Sequence, residues 1–326
     1  MTLPAAVPAP PTGAAPRSSR LGLLQVCLAG VLWGTGGLSV TLVRERVPMS
    51  VVTASAWRLS LAAIALLVAV LVARRGPALL RLARERPVAA AVVGLATMLY
   101  QTLYFGAVVL AGVSVATVLS LGIAPVLLTL VDARRHRRPP GPLALGTLAL
   151  ALAGLLLVSF SGHSSSAGSS TGSSAGGGHV GWGIVLALAA GAAYAFATDR
   201  GQLLAATTEP LALTTATSVV GAVVLVPVAL LTPGPHVTAD PGTLAILVYL
   251  GVFTMAVSYA LLYAGLRTTR GSAAVVGTLM EPVTAAVAAA LLLGERLGPL
   301  GWLGTALVLL AVAGLALEQP HPDAIE

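Results

Sequence analysis

The chain has 326 residues, 57% of them hydrophobic and 9% charged, with mean hydropathy +0.94. A soluble domain carries roughly 25% charged residues, so the composition excludes one and describes an all-α integral membrane protein. The net charge of +7 comes from arginine alone, and those arginines sit in short connections between apolar runs, which points to membrane orientation and not to nucleic acid.

A helix needs about 20 apolar residues to cross a bilayer core. Residues 1–20, rich in Pro and Ala, are expected to be a disordered cytoplasmic N-terminus. The apolar run that follows, 21–43, exceeds the h-region of a cleaved leader, about 7–15 residues, and reads as a retained first span. Further spans are predicted at 51–73, 88–110, 113–131, 142–160, 180–198, 210–232, 243–265, 272–293 and 299–317, with 318–326 as a cytoplasmic tail. With the N-terminus inside, fourteen arginines fall in inner segments and three (Arg44, Arg46 and Arg296) in outer ones, leaving Arg58 within a span. That asymmetry favours ten spans with both termini cytoplasmic. The stretch 161–179, SGHSSSAGSSTGSSAGGGH, is dominated by Ser and Gly and is expected to be an external flexible linker. Its histidines, His163 and His179, read as solvated linker residues and not as a metal site.

The linker separates two halves that resemble one another. GLATM at 94–98 matches GVFTM at 251–255, YQTLYFGA at 100–107 matches YALLYAGL at 259–266, and GPLALGT at 141–147 matches GPLGWLGT at 298–305. Pro125 matches Pro282, and the offsets stay between 157 and 159 residues. Five spans per half is an odd number, so the second copy must enter the membrane the opposite way. The expected architecture is therefore two inverted five-helix repeats, 21–160 and 180–317, with a site at mid-depth where they meet.

The closing pattern is Glu281-Pro282, then LLLGERL at 291–297, then Gly301 and Leu303-Gly304. With the ten spans and the repeat, it resembles the EamA family of the drug/metabolite transporter superfamily. The resemblance covers essentially 21–317. The first repeat departs from it, having DARRHRRPPG at 132–141 where the second has GERL. The resemblance implies metabolite transport, commonly efflux, across the bacterial inner membrane, and names no substrate.

A charge at the bilayer centre costs roughly 2.5–3.5 kcal/mol on insertion scales, so intramembrane charge marks candidate function. Glu281 and Arg58 are the two clear cases; Asp132, Asp199 and Glu295 lie at span ends. Pro282 is expected to break the ninth helix and free a carbonyl near Val276–Thr278, and Pro125 is its counterpart in the first half. Glu281 suits a cationic group or a coupling proton. Arg58 either snorkels to the outer surface, binds an anion, or pairs with Glu281. Aligning Pro48 with Pro210 sets Arg58 against Val220, and Glu281 falls against Ala124, so each half supplies one charge that its copy lacks.

Trp33, Tyr100, Gln101, Tyr104, Tyr194, Tyr259 and Tyr263 lie well inside spans. Tyr100/Tyr104 and Tyr259/Tyr263 are i,i+4 pairs, each on one helix face, suited either to packing or to a cavity for amphipathic compounds or cations. Trp182 and Trp302 open outer span ends as interfacial anchors, and Gly30-xxx-Gly34 permits close helix approach. No cofactor or metal set is expected, and no enzymatic motif occurs; a Gly-rich ATP loop ending in lysine is impossible without lysine. The function read from the sequence is secondary, non-ATP transport of a small metabolite by alternating access, with protons as a possible coupling ion. Glu281 and Arg58 together suit a zwitterion such as an amino acid. The alternatives are a channel-like facilitator or a membrane small-molecule sensor. The sequence sets no oligomeric state.

Overall fold

The computed structural model describes residues 20–111, 113–137, 139–161, 177–292 and 298–317. The N-terminal segment, most of the Ser/Gly linker with His163, Glu295 and the C-terminal tail lie outside the described residues, as does the side chain of His179. Thirteen helices follow in chain order: α1 Arg20–Arg46, α2 Val51–Val72, α3 Gly76–Glu85, α4 Pro87–Ala111, α5 Val113–His136, α6 Pro142–Ser161, α7 Gly177–Ala205, α8 Pro210–Leu230, α9 Pro241–Gly251, α10 Ser258–Leu266, α11 Gly271–Thr278, α12 Met280–Leu292 and α13 Pro299–Leu317. A π-helical turn, Val252–Val257, joins α9 to α10 without interruption. No strand occurs among the described residues.

Helix is the expected answer to this composition, because a chain surrounded by hydrocarbon has to satisfy every backbone N–H and C=O within itself. Among the described residues, eight stretches are long and apolar enough to cross a membrane, and Arg20–Gly36 and Pro299–Leu315 are shorter apolar helices. The predicted first and last spans correspond to these two: the last turns of α1 carry Arg44 and Arg46, and α13 stops at Leu317. Helix starts follow local chemistry. Five of the helices (α4, α6, α8, α9 and α13) begin on a proline, whose missing N–H would be unpaired at that position anyway. Ser50 caps α2 by accepting from Thr53 N at 3.0 Å. Asp240 caps α9, accepting from Thr243 N at 2.8 Å and from the Thr243 hydroxyl at 2.6 Å. Those two bonds hold the Asp240 carboxyl below the usual carboxylate range. Its stabilising contribution is therefore present above the ordinary carboxylate range and fades as pH falls through the lowered value.

Two features are absent from the sequence-based expectation. A short helix, α3, occupies what reads as a loop. The eighth segment contains the π-helical turn. The ninth segment is interrupted at Leu279, the single residue between α11 and α12. An interruption there is what Pro282 leads one to expect. Pro125 is different: α5 runs through it unbroken, so Pro125 is not a helix breaker. A proline removes one donor and displaces one turn, which a long helix absorbs if nothing else competes for that turn. Near Pro282 there is competition, since the Thr278 hydroxyl donates to the Val275 carbonyl at 2.8 Å and gives the backbone a local alternative.

The packing pairs are regular. Helix α4 lies on α7 and α8, α5 lies on α7, α2 on α8, and α6 on α13; α1 lies on α9, α10, α11 and α12. Counting α9–α10 and α11–α12 as one segment each, a shift of five segments carries the α4–α7 and α5–α7 contacts onto those that α1 makes with the eighth and ninth segments. Small residues make the close approaches possible. Any side chain at Gly30 would strike the Thr278 carbonyl at 2.9 Å, and one at Gly34 would meet the Glu281 carbonyl and Thr284. Gly191 of α7 is seated in the same manner on Ser120 and Ile123 of α5, 161 residues after Gly30. The exposed apolar side chains, among them Trp182 and Trp302, lie on the outside of the bundle where lipid or the interface receives them.

Inserting a side chain at such a contact costs about 1–3 kcal/mol or more through overpacking. Gly191→Val is expected to lower the thermal stability of the detergent-solubilised protein, whereas Gly146→Val, at a helical position with nothing within 4 Å, leaves it close to wild type. Melting curves followed by size-exclusion recovery test the difference.

Candidate functional site

The candidate residues converge from both halves. Trp33 comes from the middle of α1, Arg58 from α2, Tyr100, Gln101 and Tyr104 from α4, Tyr194 from α7, Tyr259 and Tyr263 from α10, and Glu281 from the start of α12. The break at Leu279 places Glu281 in the first turn of α12, with its backbone pressed against Gly34 of α1. A carboxylate in a first turn faces the unpaired amide end of that helix, which favours negative charge.

Two aromatic pairs frame the centre. Trp33 and Tyr259 meet with ring centroids 5.0 Å apart and tilted by 58°; Tyr100 and Tyr194 stack at 4.9 Å and 29°. These pairs correspond between the halves, since Tyr194 follows Trp33 by 161 residues and Tyr259 follows Tyr100 by 159. Each pair joins the first segment of one half to the third segment of the other. Glu281 lies within Coulomb range of Arg58, Tyr100, Tyr104, Tyr194 and Tyr259.

Hydrogen bonding sorts the tyrosines. The Tyr104 hydroxyl pairs with Thr117 at 2.8 Å, and the Tyr194 hydroxyl with Thr278 at 3.0 Å. Because Thr278 donates to Val275, Tyr194 is the donor in the second pair. Tyr263 is buried in the core of the bundle and packs beside Gly201 of α7. The hydroxyls of Tyr100 and Tyr259, the repeat mates, have no partner among the described residues and keep accessible surface.

Arg58 does not snorkel to the surface. Its Nη2 donates to the Thr254 carbonyl at 2.8 Å, and the Ser258 hydroxyl donates to the same oxygen at 2.8 Å. Thr254 belongs to the π-helical turn, so α2 braces the irregular backbone of the eighth segment through a charged donor. Among the described residues Arg58 Nε is buried without a partner, as are Trp33 Nε1 and Gln101 Oε1, and Gln101 Nε2 reaches only the Met255 sulfur, at 4.0 Å. The Glu281 carboxylate, half-buried, has neither a hydrogen-bond donor nor an ion-pair partner among the described residues. An acid, a guanidinium edge, an indole N–H and an amide oxygen thus share one neighbourhood with unfilled bonding capacity, which in a low-dielectric interior is costly.

One end of the bundle below this cluster is tied shut. Asp132 of α5 accepts from the Ser272 hydroxyl of α11 at 2.6 Å, and Arg135 of α5 pairs with the largely buried Asp199 of α7 at 2.8 Å. Gln202 of α7 accepts from Gly271 N at 3.0 Å and donates to the Thr269 carbonyl at 3.3 Å. The Tyr194–Thr278 bond joins two of the same three helices, α7 and α11, one layer deeper. Toward the other end α12 packs on α1, α6 and α13 and leaves α5. There the ties join other helices: Thr35 to the Tyr249 hydroxyl at 2.7 Å, and Arg46 to Asp240 at 3.7 Å.

Nothing in the sequence singles out Thr254, Ser258, Thr278, Ser272 or Gln202. Threonine and serine are ordinary inside membrane helices, where they bond back to their own turn, and only the three-dimensional neighbours distinguish these.

Comparison with known proteins agrees with this architecture. The model of the EamA-like transporter family matches residues 20–160 and again 181–317. An uncharacterized transporter, YwfM of Bacillus subtilis, is 30% identical over 89% of this chain and 91% of its own. An uncharacterized inner membrane transporter, YicL of Salmonella typhimurium, is 27% identical over 93% of this chain and 97% of its own. A protein of known crystal structure superposes with a TM-score of 0.73 at 18% identity, covering 91% of this chain and 96% of that one, which establishes likeness of fold.

A buried hydroxyl bond contributes about 0.5–1.5 kcal/mol. Tyr194→Phe is expected to lose about that much stability, while Tyr100→Phe, the same change on the other ring of the stack, loses close to none; equilibrium unfolding in detergent compares the two.

The chain is a multi-pass membrane protein and belongs to the EamA-like transporter family.

Proposed function

We propose that this protein is a secondary transporter that exports a small zwitterionic or amphipathic metabolite, such as an amino acid, across the bacterial inner membrane by alternating access. The observation that carries the reading is the unpartnered Glu281 carboxylate facing Arg58 inside a frame of aromatic pairs supplied by both halves. A ligand ammonium suits Glu281 and Gln101 Oε1, and a ligand carboxylate suits the free edge of Arg58 and the Trp33 N–H. The aromatic faces suit its body. With no such ligand bound, a proton on Glu281 is the simplest way to lower the cost of its charge, which makes the acid a coupling group as well as a binding group.

In this reading 21–160 and 180–317 are inverted five-helix repeats, joined by an external linker at 161–179, with both termini cytoplasmic. The repeat-related packing pairs and the two corresponding aromatic pairs support it. So does the position of the tied end. The arginine-rich connections lie on the side of Asp132, Asp199 and Ser272, so in this reading the tied end is the cytoplasmic one and the site opens outward. The Asp132–Ser272, Arg135–Asp199 and Gln202–Gly271 contacts are then the inner gate, which must part to admit substrate from the cytoplasm. A channel-like facilitator would need an open path through these layers.

In proteoliposomes, flux of a labelled amino acid panel is expected to saturate and to respond to a pH gradient. Glu281→Gln should abolish the response to pH, and Arg58→Ala should lower flux at least tenfold, equivalent to about 1.4 kcal/mol, with both variants still inserted in the membrane. Unchanged flux in both would overturn the assignment of the site. For the gate, Asp132→Cys with Ser272→Cys on a Cys27→Ser background should cross-link readily and stop transport until reduced. A cross-linked carrier with undiminished flux would place the moving layer elsewhere.

A further inference from the structure

The helix α3 is not used by the transport site, and its surface is divided. Its inner side packs on α8, α4 and α2, with Leu82 buried. Arg75, at its start, reaches Glu209 at the head of α8 with a 2.7 Å ion pair. Its outer side carries Leu80, Arg81 and Arg84, which are neighbours at i,i+3 and i,i+4 spacing, and Arg86 follows directly. All four are exposed, and Arg81, Arg84 and Arg86 have no acidic partner among the described residues.

Beside these arginines lies an apolar strip. Leu71 and Val72, at the end of α2, are 73% and 79% exposed; Leu80 is 56% exposed and Val88, at the start of α4, 73%. Such a strip is unfavourable in water and ordinary against acyl chains. Cations packed at its rim place α3 at the level of the headgroups, where an amphipathic helix buries its apolar side and presents its charges to anionic lipid. Guanidinium groups are matched to phosphate by paired N–H donors.

We propose that α3 and the adjoining ends of α2 and α4 form a binding surface for an anionic phospholipid, with Arg81, Arg84 and Arg86 on the headgroup phosphate and an acyl chain along Leu71, Val72, Leu80 and Val88. A soluble phosphate offers nothing to the apolar strip, so the lipid is the occupant that uses both parts. Because α3 also rests on α8, the occupied surface clamps the first half to the second at this end.

The test is thermal unfolding of the full chain in a neutral detergent, titrated with phosphatidylglycerol or with phosphatidylcholine. Phosphatidylglycerol is expected to raise the melting midpoint and phosphatidylcholine to leave it unchanged; glycerol 1-phosphate at the same concentration should do nothing. The triple variant Arg81→Gln, Arg84→Gln, Arg86→Gln should lose the rise while melting normally in phosphatidylcholine. A control that removes three other exposed arginines, Arg134→Gln, Arg137→Gln and Arg267→Gln, should keep it. Equal effects of the two lipids on the wild type, a full rise with glycerol 1-phosphate, or the same loss in the control would each overturn the proposal.

Discussion

Everything distinctive in this fold follows from the cost of leaving polar groups unsatisfied away from water. A regular helix meets that cost for its own backbone, and most of the chain consists of regular helices that need nothing further. Where the backbone departs from regularity, a side chain from elsewhere is present to complete it. The π-helical turn receives Arg58 and Ser258 on a single carbonyl, and the break at Leu279 is flanked by Thr278, which bonds both its own helix and Tyr194. Against that background the Glu281 carboxylate stands out, since no donor to its oxygens occurs among the described residues. A bundle that completes an irregular carbonyl twice over has the means to complete an acid, and the proposed binding and coupling role of Glu281 rests on its not doing so.

The same accounting separates frame from function. The threonine-bonded hydroxyls of Tyr104 and Tyr194 hold helices together, whereas the hydroxyls of Tyr100 and Tyr259, without a partner among the described residues, sit at corresponding places in the two halves. The frame is shared between the copies, and the charges are not. A symmetric cage with an acid on one side and a guanidinium on the other imposes an orientation on whatever it holds. That is how a duplicated scaffold can recognise a ligand that is not itself symmetric.

Much of this was legible in the sequence, for physical reasons that differ from residue to residue. Spans were readable because each is a run of about 20 apolar residues, and Glu281 was readable because a charge in such a run needs a reason. The partners of those charges were not. Arg58 looked able to reach the surface, and only the carbonyl of Thr254 explains why it turns inward. Pro125 and Pro282 carry identical covalent constraints and have different effects, since the outcome depends on what competes for the neighbouring turn. The π-helical turn did leave a trace: the offset between the halves is 157 at GVFTM and 159 at YALLYAGL, so the two extra residues of the second copy fall among Ala256–Ser258, at the end of that turn. Extra residues in an otherwise regular helix have to be accommodated as a wider turn. The helix α3 left less, because ten residues with five arginines around them read equally well as a solvated loop.

That wider turn has a thermodynamic corollary. In a perfectly duplicated inverted-repeat carrier the states facing either side are related by a two-fold axis in the membrane plane, equal in energy until a gradient or a ligand distinguishes them. Here the eighth segment has a bulge that its counterpart, α4, lacks, so the two conformations exchange unlike parts and cannot be degenerate. Under the proposed alternating access, the unloaded molecule would therefore have a preferred facing direction written into its backbone, with the gradient acting on a balance already tilted.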